Sequence, residues 1–384
     1  LWPSMGLSES VRRIGVEPDC LAISTFRPFA KQWLYFNRRF NEMVYQMPRI
    51  FPAARLDNFS ICVPTSGGTV AFSVYITDAI PGLKFIGDGG TQCFPLYLYD
   101  EPESADADAP QSSLFDQHAA KPVTRNRRDA ITDAGLAHFA SAYLGEKISK
   151  EDLFYYIYGL LHSPDYRARY ADNLAKELPR IPRVKTAADF WAFSKAGRAL
   201  ANLHLNYESV AMYAKAEVIS DGGKPLDLGN PKALDSRFRG NDERGRGGND
   251  ERGRGGNDER EKFWRVEKMK VPKSGKDKDL TRLVYNAHIT VTGIPAEAYD
   301  YVVNGKPALD WVIERQCVKT DKDSGIVNDA NAWATETMHN PRYPLELFLR
   351  VITVSLETMQ IVRALPELDI LEAVASGAPK GSKA

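Results

Sequence analysis

The segment Asn241–Gly248, Asn-Asp-Glu-Arg-Gly-Arg-Gly-Gly, recurs letter for letter at residues 249–256, and a third copy begins at Asn257. Eight residues are too short a period for a solenoid unit, and from Asn241 to Lys262 there is no apolar side chain to bury. Asp235–Lys262 carries eight basic and eight acidic groups, which predicts a mixed-charge, glycine-loosened, disordered insertion. Any fold of this chain must accommodate that interruption. Strand-like text lies on both sides of it: Leu21–Phe26, Trp33–Phe36, Phe59–Val63, Val70–Ile76 and Phe94–Tyr99 before, Trp264–Val271 and Leu283–Val291 after. The insertion is therefore expected to split one sheet instead of separating two domains.

Helical text lies between and after these strands. Ser149-Lys150-Glu151-Asp152 ahead of Leu153 supplies an N-cap with acids in the first turn, where the helix dipole favours them. Phe154, Ile157, Tyr158 and Leu161 then recur at helical spacing until Ser163-Pro164. Further helices are predicted over 166–178, 190–213, 295–304, 308–317 and 345–365. The fold class is α/β, in the mixed α+β sense. Its expected organisation is a tail of a preceding domain (1–20), a strand-rich part (21–100), an acidic linker (101–128) and a helical segment (129–214). The disordered insertion (215–262), the remainder of the module (263–366) and a flexible tail (367–384) follow.

Charge excludes less than its total of zero implies. From Arg12 to Arg55 eight basic residues face three acidic; from Leu56 to His118 one faces nine; from Lys121 to Lys185 twelve face eight. Basic surfaces can exist on such a protein. Cys20, Cys62, Cys93 and Cys317 form no CxxC pair, so neither a zinc site nor a disulfide framework is signalled, and a reducing cytoplasm is the expected location. No apolar run approaches the roughly 18 residues that span a bilayer. Walker, GxGxxG, HExxH and GxSxG motifs are missing, and the six histidines are not spaced as ligands or relays. His162, closing an aromatic helix, is expected to cap carbonyls. Asp321, Asp323 and Asp329 lack the spacing and terminal Glu of an EF-hand, so no metal site is predicted.

One string is more specific: Arg27-Pro28-Phe29-Ala30-Lys31-Gln32-Trp33-Leu34-Tyr35-Phe36-Asn37 resembles one found in type ISP restriction–modification enzymes. Gln92–Tyr97, Lys150–Pro164, Arg180-Ile181-Pro182, Asp189-Phe190-Trp191, Tyr301–Gly305 and Lys319–Ile326 extend the resemblance in the same order. In that family one long polypeptide carries a nuclease, a helicase-like ATPase, a helical coupler, an adenine-N6 DNA methyltransferase and a C-terminal target-recognition domain. This chain resembles the last part. The Asn-Pro-Pro-Tyr-type motif of the methyltransferase is absent, Asn340-Pro341-Arg342-Tyr343 is no substitute, and the motor's phosphate loop is missing. The resemblance implies duplex DNA as partner, alongside the methyltransferase and motor domains of a parent enzyme. It implies no cofactor and no catalysis in this chain alone; S-adenosylmethionine and ATP with Mg2+ would serve the full-length enzyme.

Sequence readout needs Arg or Lys on guanine and Asn or Gln on adenine, while Lys, Arg, Ser, Thr and backbone amides hold phosphates. Arg27, Lys31, Gln32, Arg38 and Arg39 interleave with Phe29, Trp33, Tyr35 and Phe36, a pattern that can anchor a loop by its aromatics and aim its cations outward. The alternative is that the aromatics are plain core and Arg27 stacks within it. Ser66, in Thr65-Ser66-Gly67-Gly68-Thr69, can offer a hydroxyl to a phosphate or simply close a hairpin. Lys319, Lys322 and Asn328 in the polar loop complete the candidate set. Tyr155, Tyr156, Tyr158, Tyr166 and Tyr170 fall at helical spacing beside Leu160 and Leu161, as core or interdomain packing would require. The rival function is a protein-interaction module docking through these Tyr-rich helices without touching DNA.

Overall fold

The aromatic-rich stretch after Cys20 forms a hairpin in which β1 (Leu21–Arg27) pairs antiparallel with β2 (Ala30–Tyr35). The computed structural model describes residues 20–37, 40, 41, 43–52, 58–68, 70–100, 126–229 and 261–371. Arg27 pairs with Ala30, leaving Pro28-Phe29 as the connection, and Phe29 sits at φ 57°. A left-handed aromatic residue costs about 1–3 kcal/mol unless its surroundings hold it there. Here the Phe29 ring is fully buried, edge-on to Tyr75 at 5.8 Å and Tyr207 at 5.3 Å, and its carbonyl accepts from Gln316 Nε2 at 2.9 Å.

After α1 (Met47–Ile50) come β3 (Ser60–Pro64), β4 (Tyr75–Thr77), β5 (Ile80–Pro81) and β6 (Thr91–Pro95). These and the hairpin form two small sheets, ordered β2-β1-β5 and β4-β3-β6. Of the strand expected over 70–76, only its end, from Tyr75, enters a ladder. β7 (Tyr97–Tyr99) pairs with β8 (Arg127–Asp129), so the end of the expected acidic linker is a strand. Its preceding residues, 101–125, lie outside the described residues.

The helical segment comprises α2 (Asp133–Ala140), α3 (Lys150–His162), α4 (Pro164–Arg169), α5 (Ala171–Leu174) and α6 (Ala187–Leu205). Ser149 caps α3 through a capping box: its hydroxyl accepts from Asp152 N while the Asp152 carboxylate accepts from Ser149 N, both at 3.0 Å. α3 and α6 cross where Gly159 meets Gly197. A Cβ on Gly197 would stand 1.8 Å from the Tyr155 carbonyl oxygen, and one on Gly159 would stand 2.2 Å from that of Phe193.

Beyond α6, β9 (Glu217–Ser220) precedes β10 (Lys273–Ser274), β11 (Asp277–Lys278), β12 (Leu283–Val284) and β13 (Ile289–Thr292). β9 pairs with β13 over four register positions, giving the sheet β12-β13-β9. A sheet thus does draw strands from both sides of the repeats, which lie outside the described residues. Two corrections follow. The expected insertion begins too early at 215, because Val218 and Ser220 are buried and paired. The strands of 21–100 lie in other sheets and meet the later ones through side chains, not ladders.

Trp264–Val271 forms no strand: Trp264 and Val266 are buried by packing, with one isolated bridge between Lys270 and Val284. The helix expected over 295–304 is a single 3-10 turn (Ala296–Tyr299) followed by β14 (Val302–Val303) and β15 (Lys306–Pro307). Asn304 and Gly305, at φ 52° and 73°, make the turn between those strands. A helix at Ala308–Arg315 leads into β16 (Val318–Thr320) and β17 (Val327–Asp329), and the C-terminal helix spans Tyr343–Arg363. Residues 367–371 of the expected flexible tail are hydrogen-bonded to the fold, and 372–384 lie outside the described residues. Lys185 N donates to Asp369 O at 2.8 Å and Leu371 N to Arg183 O at 2.9 Å. Among the described residues no helix is long and apolar enough to cross a membrane.

Candidate nucleic-acid interface

β2 is the edge of its sheet, and consecutive residues on its two faces reach the same distant segment. Gln32 Nε2 donates to Asn328 Oδ1 at 3.3 Å, and Trp33 Nε1 donates to Thr337 Oγ1 at 3.0 Å. Trp33 remains 54% exposed while its ring lies 6.1 Å from that of Trp333. Thr337 and Trp333 belong to a π-helical turn, Trp333–Thr337, a widened geometry that recurs at functional sites. The structure therefore joins Gln32 and Asn328, residues that lie in two separate parts of the sequence.

Asn328 faces Lys319 across the β16–β17 ladder. Lys319 is half-exposed and binds Glu314 at 3.0 Å; Lys306 also hydrogen-bonds Glu314, and Arg315 lies 3.0 Å from it. Burial opposes ionisation of Glu314, yet the hydrogen bonds from Lys306 and Lys319 and the charge of Arg315 hold its pKa at about 2. Arg27 adds a fourth cation. Its guanidinium stands 4.5 Å from the centre of the Phe26 ring, with that of Arg315 6.0 Å from the same ring. Burial and then the neighbouring Arg315 charge lower the Arg27 pKa, against the opposing pull of Glu314. Among the described residues the buried Nε of Arg315 has no hydrogen-bond partner.

The remaining candidates scatter. Lys31 is spent on Glu208, at 2.6 Å and with both side chains largely covered, and lies over the Tyr207 ring. It is thus a fold contact rather than a free cation, and the Coulomb partner, 177 positions away, leaves no cue in the sequence. Lys322 is exposed at the tip of the β16–β17 hairpin. Ser66 is exposed on a different loop, closed by Thr65 N to Gly90 O and Gly67 N to Ala175 O. Arg38 and Arg39 lie outside the described residues. Lys306, Arg315 and Thr337 were not singled out by the sequence, and Trp33 only as an aromatic anchor, although Arg315 lies in the last turn of the helix predicted over 308–317, just ahead of Lys319.

The acids nearby serve the fold. Asp321 accepts from the amides of Asp323 (3.2 Å) and Ser324 (2.9 Å), closing the hairpin turn, and these bonds keep its carboxyl below the usual range. Asp329 caps the helical turn after β17 through Asn331 N at 2.8 Å and pairs with Arg265 at 2.9 Å. Among the described residues no group of His, Cys, Asp or Glu is arranged to hold a metal ion. Asn340 accepts from Arg342 N (3.1 Å) and donates to Glu346 (3.0 Å), so its amide stabilises the start of the C-terminal helix.

Tyr155, Tyr156, Tyr158 and Tyr166 are 0–8% exposed and line the helical core, as their spacing required. His162 Nδ1 pairs with the Tyr158 carbonyl at 2.9 Å, the capping role expected of it.

A family model described as the Type ISP C-terminal specificity domain matches residues 4–347. No curated protein matches the chain. Among solved structures, the chain is similar to the ATP-dependent Type ISP restriction-modification enzyme LlaBIII bound to DNA, with 30% identity, a TM-score of 0.71, and coverage of 96% of this chain and 21% of that one. It is also similar to a nuclease-deletion mutant of the Type ISP enzyme LlaGI in complex with a DNA substrate mimic (31%, TM-score 0.67, covering 94% and 26%). A third similar structure is a DrdV–DNA complex (30%, TM-score 0.68, covering 94% and 29%). The chain thus spans between a fifth and three tenths of those proteins.

Proposed function

The chain belongs to the Type ISP C-terminal specificity domain family, and from that premise we propose that it recognises a target sequence in duplex DNA where β2 meets the β16–β17 hairpin. The observation that carries this reading is the bridge between Gln32 and Asn328 beside the cations Arg27, Lys306, Arg315 and Lys319. Amides are the groups that pair with the adenine edge in the major groove, and clustered guanidinium and ammonium groups are what phosphates require. These four cations outnumber the carboxylates beside them, Glu314 and Asp310, and so leave charge that a DNA backbone can neutralise. Exposed Lys322 on the hairpin tip and Ser66 on its own loop are further candidates for backbone contacts. The rival reading, docking of a protein partner through the Tyr-rich helices, is disfavoured because most of those rings are already buried.

On this reading S-adenosylmethionine, ATP and Mg2+ are bound by other segments of a longer enzyme. The chain alone binds duplex DNA weakly and neither transfers methyl groups nor hydrolyses ATP.

Fluorescence anisotropy with a duplex library over a range of salt tests the proposal. Lys319→Ala should weaken binding to all sequences alike and reduce the salt slope by about one. Gln32→Ala or Asn328→Ala should instead lose about 1–3 kcal/mol of discrimination at one base pair. Salt-independent binding, or wild-type behaviour in all three variants, would remove this surface from DNA recognition.

A further inference from the structure

The fold sets two cysteines opposite each other that no sequence motif links. Cys62 on β3 and Cys93 on β6 are register partners with Sγ atoms 3.8 Å apart. The ladder bonds flanking them run from Leu96 N to Phe59 O and from Thr65 N to Gly90 O. That alternation makes Ser60–Pro95, Cys62–Cys93 and Pro64–Thr91 the non-hydrogen-bonded pairs. At such pairs the Cα atoms are about 4.5 Å apart, within the roughly 4.4–6.8 Å that a disulfide bridges.

The two thiols are unequal. Cys62 is fully buried, whereas Cys93 keeps partial access to solvent. Burial pushes the Cys62 thiol up, while its hydrogen bond to Cys93 brings the Cys93 thiol down. Thiolate character and access together select the sulfur that an oxidant attacks first.

We propose that Cys62 and Cys93 are a redox pair that forms a reversible cross-strand disulfide on exposure to a peroxide, with Cys93 attacking first and Cys62 resolving. The Cys93 thiolate displaces hydroxide from hydrogen peroxide, giving a sulfenic acid, and the hydroxide takes a solvent proton. The Cys62 sulfur then attacks the Cys93 sulfur, forming the S–S bond; the leaving hydroxyl departs as water with the Cys62 proton. One peroxide is reduced and two thiols are oxidised. The bond would tie β3 to β6 and close the chain segment between them, which carries the Ser66 loop.

Treating the folded 384-residue chain with stoichiometric hydrogen peroxide, alkylating the remaining thiols and mapping the peptides by mass spectrometry tests this. The expected result is loss of two of the four thiols, a linked Cys62–Cys93 peptide, alkylated Cys20 and Cys317, and full recovery with dithiothreitol. In Cys62→Ser, Cys93 should stop as a sulfenic acid captured by dimedone. All four thiols surviving, Cys93 oxidised irreversibly beside an intact Cys62, or links to Cys20, Cys317 or a second chain would each overturn the proposal. The wild-type map decides the question even if the buried serine variant does not fold.

Discussion

His204 is held between the rings of Tyr75 and Tyr301, both 5.2 Å away and nearly parallel, with Tyr158 Oη 2.6 Å from Nδ1 and Thr358 Oγ1 3.0 Å from Nε2. Burial lowers its pKa from 6.5 to about 3. Below pH 6.5 the unfolded chain therefore takes up a proton that the fold refuses, so the contribution is complete above 6.5 and is lost as the pH falls toward 3. Each such histidine adds a slope of about 1.4 kcal/mol per pH unit in that window. His162, also buried and shifted down, adds a second contribution. Urea unfolding between pH 7.5 and 5 should show the fall, and His204→Gln should remove about half of its slope; an unaltered slope would show that His204 is not the group refusing the proton. At this scale the sequence exposed only part of the candidate site. Lys319 and Asn328 stood out as a cation and an amide in a polar loop, and Gln32 as an amide interleaved with aromatic residues. Lys31 was misleading because charge reveals no partner, and Glu208 claims it through tertiary contact.

Helix α3 illustrates how far local signals carry. Its cap, first-turn acids and aromatic spacing determine its start, and the structure adds Arg198 holding Glu151 at 2.8 Å and Asp152 at 2.7 Å across from α6. What the spacing could not reveal is the crossing itself, because Gly159 and Gly197 signify contact only when the two backbones are seen together. Gly197→Ala should destabilise the protein by about 3 kcal/mol or more, since the clash is with backbone oxygen and neither helix can yield without losing its packing. Gly222→Ala is the matched control: its Cβ would meet nothing within 4 Å, so its denaturation midpoint should stay near wild type. Equal midpoints for the two variants would refute the close crossing. Elsewhere a local signal was present and outweighed. Asn304-Gly305 is a strong hairpin cue, but the aromatic and aliphatic residues around it also fit a helical period. The long-range contacts Asn304 N to Ser73 Oγ (2.7 Å) and Gly87 N to Asn304 Oδ1 (2.8 Å) select the turn.

Three clusters of buried apolar residues make up the interior, and single elements serve more than one of them. On β3, Cys62 enters the largest cluster while Ile61 and Val63, on the opposite face, enter the helical one. α6 places Leu203 in the first and Leu200 in the second, and the C-terminal helix does the same with Val354 and Val362. Small separate sheets are therefore bound into one unit by side chains, which is why reading strands alone placed them in one sheet. Elements shared in this way cannot unfold in one cluster without exposing another, so near- and far-ultraviolet circular dichroism should report a single coincident transition. Deletion of Ser236–Arg260 makes the stricter test. The pairing of β9 with β13 uses residues 217–220 and 289–292, all outside the deletion, and Phe238 is the one apolar side chain among the deleted residues. Shortening a connection also lowers its closure entropy only slowly with length. The melting temperature of the deleted protein should accordingly stay within about two degrees of the parent, with one transition retained. A broadened or split transition would mean that the repeats hold the two sides of the β12-β13-β9 sheet together, and that the shared side chains alone do not.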